Sequence, residues 1–140
     1  QKYAVRAGGG TNHRLALWDG ILIKENHIAA AGGVGAALRN AMALGAGVQI
    51  QIQIEVESIA QLQEALDAGA TSVLLDNFDL AAMREAVALT RGRALLEVSG
   101  GVTFERLREI ALTGVDRISV GKLTKDVAAV DFSLRLLERP

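Results

Sequence analysis

The sequence predicts an α/β protein: a TIM-barrel-like parallel βα barrel, read as one domain over 1–140. Short apolar runs alternate with helical segments in five βα-type units, an order that builds a parallel sheet with helical crossovers. The run 48–57 alternates apolar and polar residues strictly, which suits a barrel strand with one face on the lumen and the other under helices. Lys24, Glu55, Asp76, Ser99 and Gly121 each fall at or near the carboxyl end of a successive strand. Those ends converge on one face of a barrel, so residues remote in sequence can share a pocket.

Each element has a local reason. Lys2 to Ala7 reads as the end of a helix stopped by Gly8-Gly9-Gly10. The first strand spans Gly20 to Lys24. After Gly32-Gly33 a helix from Val34 to Leu44 carries Ala37, Leu38, Ala41 and Leu44 at helical spacing. The strand 48–57 follows, and Ser58 is placed to cap a helix through Ala68, with Ile59, Leu62 and Leu66 inward. Ser72 to Leu75 is a strand, Leu80 to Thr90 a helix, Ala94 to Val98 a strand and Thr103 to Leu112 a helix. Arg117 to Val120 forms the last strand and Val127 to Leu137 a closing helix.

Composition excludes several function classes. Fifteen basic and sixteen acidic side chains leave a net charge of -1, so nothing favours bulk binding to nucleic acid or an anionic membrane. The absence of cysteine excludes disulfides and thiolate metal sites, in keeping with a reducing cytoplasm. No apolar stretch reaches the roughly 18 residues of a membrane span. The start from Gln1 lacks the charged-then-apolar order of a signal peptide, so a soluble cytoplasmic protein is expected. Neither histidine has a partner at zinc-ligand spacing.

The residues that remain suit a phosphate ester. Ser99-Gly100-Gly101 and Val120-Gly121 are strand-end glycine loops where backbone N–H groups can approach an anion closely. Arg14 offers a flat fork and Lys24 a point charge for anionic groups. Glu55 and Asp76 suit sugar hydroxyls or Mg²⁺. The bland alternatives remain open: Glu55 turned to solvent, Asp76-Asn77 opening a turn, and plain loop glycines.

Gly8-Gly9-Gly10-x-Asn12-His13-Arg14, then Leu22-Ile23-Lys24-Glu25-Asn26-His27-Ile28, resembles the signature of the quinolinate phosphoribosyltransferases. Leu75-Asp76-Asn77, Leu96-Glu97-Val98-Ser99-Gly100-Gly101 and Ser119-Val120-Gly121 extend the likeness along nearly the whole chain. The resemblance implies transfer of phosphoribosyl from phosphoribosyl pyrophosphate to quinolinate, giving nicotinate mononucleotide, pyrophosphate and carbon dioxide in NAD synthesis. Mg²⁺ would accompany the pyrophosphate. It also implies that Arg14, with His13 beside it, binds a quinolinate carboxylate. Lys24 would meet quinolinate and the pyrophosphate-bearing substrate, and Glu55 and Asp76 would hold ribose hydroxyls or Mg²⁺. Ser99, Gly100, Gly101, Val120, Gly121 and Lys122 would cradle the 5′-phosphate. Of these, Lys24, Glu55 and Asp76 are the catalytic candidates.

The chain departs from that family in three ways. The family's amino-terminal domain and its Thr-Arg-Lys-Thr motif would precede Gln1, so about five of six βα units are expected here. Gln53 stands where the family often has an acid, and Lys122 and Lys125 stand where alanine and histidine are more usual. An incomplete barrel has open strand edges and exposed apolar flanks, and with the family being dimeric a homo-oligomer is expected. The alternatives are a non-catalytic barrel fragment that keeps a phosphate site, or a homologue acting on another pyridine carboxylate.

Overall fold

The computed structural model describes residues 1–45 and 50–137. Five strands, β1 (Gly20–Ile23), β2 (Gln51–Val56), β3 (Ser72–Asp76), β4 (Leu95–Ser99) and β5 (Arg117–Ile118), form one sheet in the order of the chain. Every neighbouring pair is parallel. Among the described residues seven α-helices accompany them: α1 (Lys2–Ala7), α2 (Glu25–Ala31), α3 (Val34–Leu44), α4 (Ile59–Asp67), α5 (Leu80–Thr90), α6 (Leu107–Ala111) and α7 (Lys122–Lys125). Sequential order with helical returns is how a βα barrel is wound. Among the described residues β1 and β5 are edges, each paired on one side.

The period-two pattern divides the sheet as its chemistry requires. Ile54 and Val56 of β2, Val73 and Leu75 of β3, and Leu96 and Val98 of β4 lie in the core beneath Leu38, Leu62, Ala65, Leu66, Met83 and Ala86. The intervening residues Gln53, Glu55, Leu74 and Glu97 fall on the opposite face. β2 therefore keeps polar side chains inside a parallel sheet. Local capping agrees with the packing: the Ser58 hydroxyl accepts the Gln61 N–H at 3.3 Å and the Asp79 carboxylate accepts the Ala82 N–H at 2.8 Å.

Several expectations need correction. The closing helix from Val127 to Leu137 is absent: 127–137 has no regular secondary structure, and Leu134 and Leu136 are 95% and 96% exposed. A helix that short gains its stability from a packed face, and this one meets none. Glu25–Ala31, for which the sequence pattern predicts no element, is helical, started where the Lys24 N–H donates to His27 Nδ1 at 3.0 Å and ended by Gly32 in the left-handed conformation. Leu44 is exposed rather than inward. The expected helix from Thr103 splits into a 3-10 turn, Phe104–Arg106, and α6. β5 is two residues long rather than four. The first residues of the run 48–57 lie outside the described residues, and β2 is seen from Gln51.

Candidate functional site

The loop from Gly10 to Gly20 is pinned from both ends before it presents a functional group. Lys2 Nζ of α1 donates to the carbonyls of His13 and Arg14 at 3.2 and 2.9 Å, and Asn12 Nδ2 returns a bond to the Lys2 carbonyl at 3.0 Å. Asp19 accepts the Leu15 and Ala16 N–H groups at 2.7 and 3.1 Å. Those backbone donors hold its carboxyl below the usual aspartate value. Arg14 then reaches back across β1, its Nη1 donating to the Gly20 carbonyl at 2.8 Å. One arm of the guanidinium is fixed, and Arg14 lines a cavity.

That cavity, about 440 Å³, lies between the two sheet edges, with Gly20 and Leu22 of β1 on one side and Arg117 and Ser119 on the other. Gln53 and Glu97 form part of its wall, both 5% exposed. His13 Nε2 sits 3.1 Å from Gln53 Oε1 and 4.0 Å from Glu97 Oε1. Gln53 Nε2 donates to Glu97 Oε2 at 2.9 Å, and the Ser119 hydroxyl donates to Glu97 Oε1. Of the expected site residues, His13 and Arg14 line this cavity and the others do not. Gln53, Glu97 and Ser119 carry its polar wall without having been expected to. Glu97 left a mark in the sequence, as the acid interrupting the apolar run Leu95-Leu96-Glu97-Val98, but its pairing with Gln53 and Ser119 did not.

The remaining expected residues gather at the carboxyl ends of the strands. Lys24 Nζ lies 3.2 Å from Glu55 Oε2, with the Glu55 side chain 13% exposed, so the bland reading of a glutamate turned to solvent fails. Register places Glu55 beside Leu74 and Asp76 beside Ser99, putting the two carboxylates on one face of adjacent strands. Asn77 follows with φ 55, its amide donating to Asp76 Oδ2 at 2.8 Å and its backbone N–H to the Ser99 carbonyl at 3.1 Å. Asp76-Asn77 is thus tied to the glycine loop of the next strand, and the capping role belongs to Asp79 instead.

Two glycines in those loops differ in why they are glycine. A Cβ on Gly100 would sit 2.2 Å from Asn77 Oδ1, and its φ is +89, so this protein's own packing requires glycine there. Gly121 has ordinary backbone angles and nothing within 4 Å of an added Cβ. Packing does not explain Gly121. Val120 is half-buried against the core and Lys122 is exposed, its Nζ 3.8 Å from Asp126. The helical turns after both loops are short, so any anion cradle rests on backbone N–H groups more than on a helix dipole.

Residues 1–135 match the family described as quinolinate phosphoribosyl transferase, C-terminal domain. The chain belongs to that family. It is 46% identical over 134 residues to the probable nicotinate-nucleotide pyrophosphorylase (carboxylating) of Bacillus subtilis strain 168, covering 96% of this chain and 46% of that protein. It is 42% identical over 152 residues to the mitochondrial quinolinate phosphoribosyltransferase (decarboxylating) 2a of Nicotiana tabacum, covering 96% of this chain and 43% of the other. The solved nicotinate-nucleotide pyrophosphorylase of Francisella tularensis superimposes with a TM-score of 0.87 at 46% identity, over 94% of this chain and 46% of that one. The chain thus spans less than half the length of these relatives. Among the described residues no helix is long and apolar enough to cross a membrane.

Proposed function

We propose that this chain is the barrel portion of an enzyme that transfers phosphoribosyl from phosphoribosyl pyrophosphate to quinolinate with decarboxylation, yielding nicotinate mononucleotide, pyrophosphate and carbon dioxide. The observation that carries this is the Lys24–Glu55 pair at 3.2 Å, with Asp76 one strand away on the same face. A cation and two carboxylates are thereby brought to one face, charges that suit a departing pyrophosphate and a cation-like anomeric carbon. The relatives are named for this chemistry, and family membership supports it here.

The residues divide the work by charge. Arg14 holds a quinolinate carboxylate with its free arm, and His13 stands beside it. Lys24 meets the anionic groups where the two substrates approach. Glu55 and Asp76 bind ribose hydroxyls and favour positive charge developing at the anomeric carbon. Ser99, Gly100 and Gly101, with Val120, Gly121 and Lys122, anchor the 5′-phosphate and so align the sugar for attack by the ring nitrogen. Among the described residues no three His, Cys, Asp or Glu side chains cluster to cage a metal. A two-carboxylate donor set fits Mg²⁺ in its phosphate-borne mode, with Glu55 and Asp76 as its protein ligands. Bound with the pyrophosphate, it would neutralise the leaving group's charge.

We read the protein as a cytoplasmic homo-oligomer, with no nucleic-acid or membrane partner. Open edges at β1 and β5 support association. The same features favour one rival, a non-catalytic barrel fragment with a phosphate site. An assay for nicotinate mononucleotide from quinolinate, phosphoribosyl pyrophosphate and Mg²⁺ decides between them, run beside calorimetry with a ribose-5-phosphate ester. Turnover supports the transferase; ester binding without turnover supports the fragment. A nicotinate mononucleotide signal unchanged in Lys24→Ala would remove Lys24 from the site.

A further inference from the structure

We infer that Glu97 is a positioning residue: acting through Gln53, it fixes which nitrogen of His13 faces the protein and which faces a ligand. An ionised carboxylate can only accept hydrogen bonds. Glu97 lies at 5% exposure in the cavity wall and takes one bond from the Ser119 hydroxyl and another, at 2.9 Å, from Gln53 Nε2. Because its amide nitrogen is spent on Glu97, Gln53, itself 5% exposed, must turn its carbonyl oxygen the other way. That oxygen sits 3.1 Å from His13 Nε2 and can only accept, so Nε2 must carry a proton. In the neutral ring Nδ1 is then the lone-pair nitrogen, able to accept from a ligand in the cavity that His13 lines with Arg14.

The relay is a property of this chain's particular residues. It requires an amide at 53, able to donate in one direction and accept in the other, between an acceptor-only residue and a ring that must donate. A carboxylate at 53 next to Glu97 would instead set two acceptors of like charge together. His27 provides an internal contrast: both rings are exposed, but His27 Nδ1 accepts the Lys24 backbone N–H at 3.0 Å, so its tautomer is set by the backbone and not by a side-chain relay. The consequence for His13 rests on the reading of that residue as a substrate contact; the relay itself does not.

The test is read without substrate, so it can fail while the transferase reading stands, and the reverse. In the native chain, nitrogen-15 spectra at a pH where the rings are neutral should show a His13 Nε2–H proton protected from exchange, with the His27 Nε2–H unprotected. Glu97→Gln frees the Gln53 amide to flip, and the protection should fall by about tenfold or more. Gln53→Glu combined with Glu97→Gln exchanges carboxylate and amide, keeps every donor facing an acceptor, and should restore it. A purely structural role for Glu97 would not produce recovery on exchange. No protected His13 proton in the native chain, unchanged protection in Glu97→Gln, or no recovery in the folded double variant overturns the proposal. If Glu97→Gln alone does not fold, the native chain and the double variant still decide: protection in both supports the relay, and its absence from either overturns it.

Discussion

β3 and the segment 127–137 are both rich in large apolar side chains, yet their fates are opposite. Val73 and Leu75 of β3 are fully buried, with β2 and β4 hydrogen-bonded on either side and helices over one face. Val127, Val130, Phe132, Leu134, Leu136 and Leu137 are all exposed, with no strand or helix to hold them. Apolar content is similar; available partners are not. Periodicity qualifies a segment for burial, and a complementary surface decides whether burial happens.

The sharpest way to break this contrast is to truncate one leucine in each region. Leu75→Ala should cost about 2–5 kcal/mol, since it leaves a cavity beneath the helices. Leu134→Ala, at 95% exposure, should stay within about 0.5 kcal/mol. Urea unfolding of both variants checks this. Equal losses would mean that 127–137 is packed in solution, as it would be against a second copy, and gel filtration of the native chain and Leu134→Ala would then show association lost in the variant.

A second contrast sets stability against function at one residue. Lys24 pairs with Glu55 at a half-exposed position, so Lys24→Ala should change unfolding free energy by about 1 kcal/mol or less. On the proposed function it should weaken quinolinate binding by roughly 2–5 kcal/mol, or more than tenfold, because the ligand loses a charged partner. Calorimetry and unfolding on the same variant separate the two. A large stability loss with unchanged affinity would make the pair a structural clasp.

The well-partnered part of the molecule is also the part that could be read from sequence. Strict alternation in Gln51–Val56 identified a lumen-facing strand, and α3 begins and ends where helical spacing and glycines place it. The placement of Lys24, Glu55, Asp76 and Ser99 at neighbouring strand ends was legible because strand ends in a parallel barrel share one mouth. The Gln53–Glu97–Ser119 wall was not, because it joins β2 to the β5 side across the lumen, and such pairing depends on stagger between strands that no local pattern encodes. α2 was hidden by its own functional content: Glu25-Asn26-His27 reads as site chemistry, while the structure gives His27 a capping bond. The closing helix was misread because its spacing is helical and its missing partner is not visible in the segment itself.

Smaller effects test the caps that bound the buried region. Asp79→Ala removes the acceptor of the Ala82 N–H and should cost about 1 kcal/mol, while leaving the position of β3 unchanged. Thermal unfolding checks it. A loss of several kcal/mol would mean that Asp79 also supports the Asp76-Asn77 turn beside it.

The smallest expected change is local and set by pH. Asp19 is fully exposed, and its carboxyl is held below the usual value by the Leu15 and Ala16 N–H groups, so its contribution to the loop has a defined sign. A carboxyl whose folded-state value is lowered stabilises the folded loop above its unfolded value and loses that contribution as pH falls through the folded one. Hydrogen exchange at Leu15 and Ala16 should therefore speed up relative to β3 amides in the acid range, below the ordinary aspartate value of 3.8. Asp19→Asn should remove that pH step. If the Leu15 and Ala16 amides kept the same pH step in Asp19→Asn, another acid would set it; if they stayed protected with no step, the closure would come from Lys2 gripping the carbonyls of His13 and Arg14. The motif loop would then depend on α1, at the start of the chain, rather than on its own carboxylate.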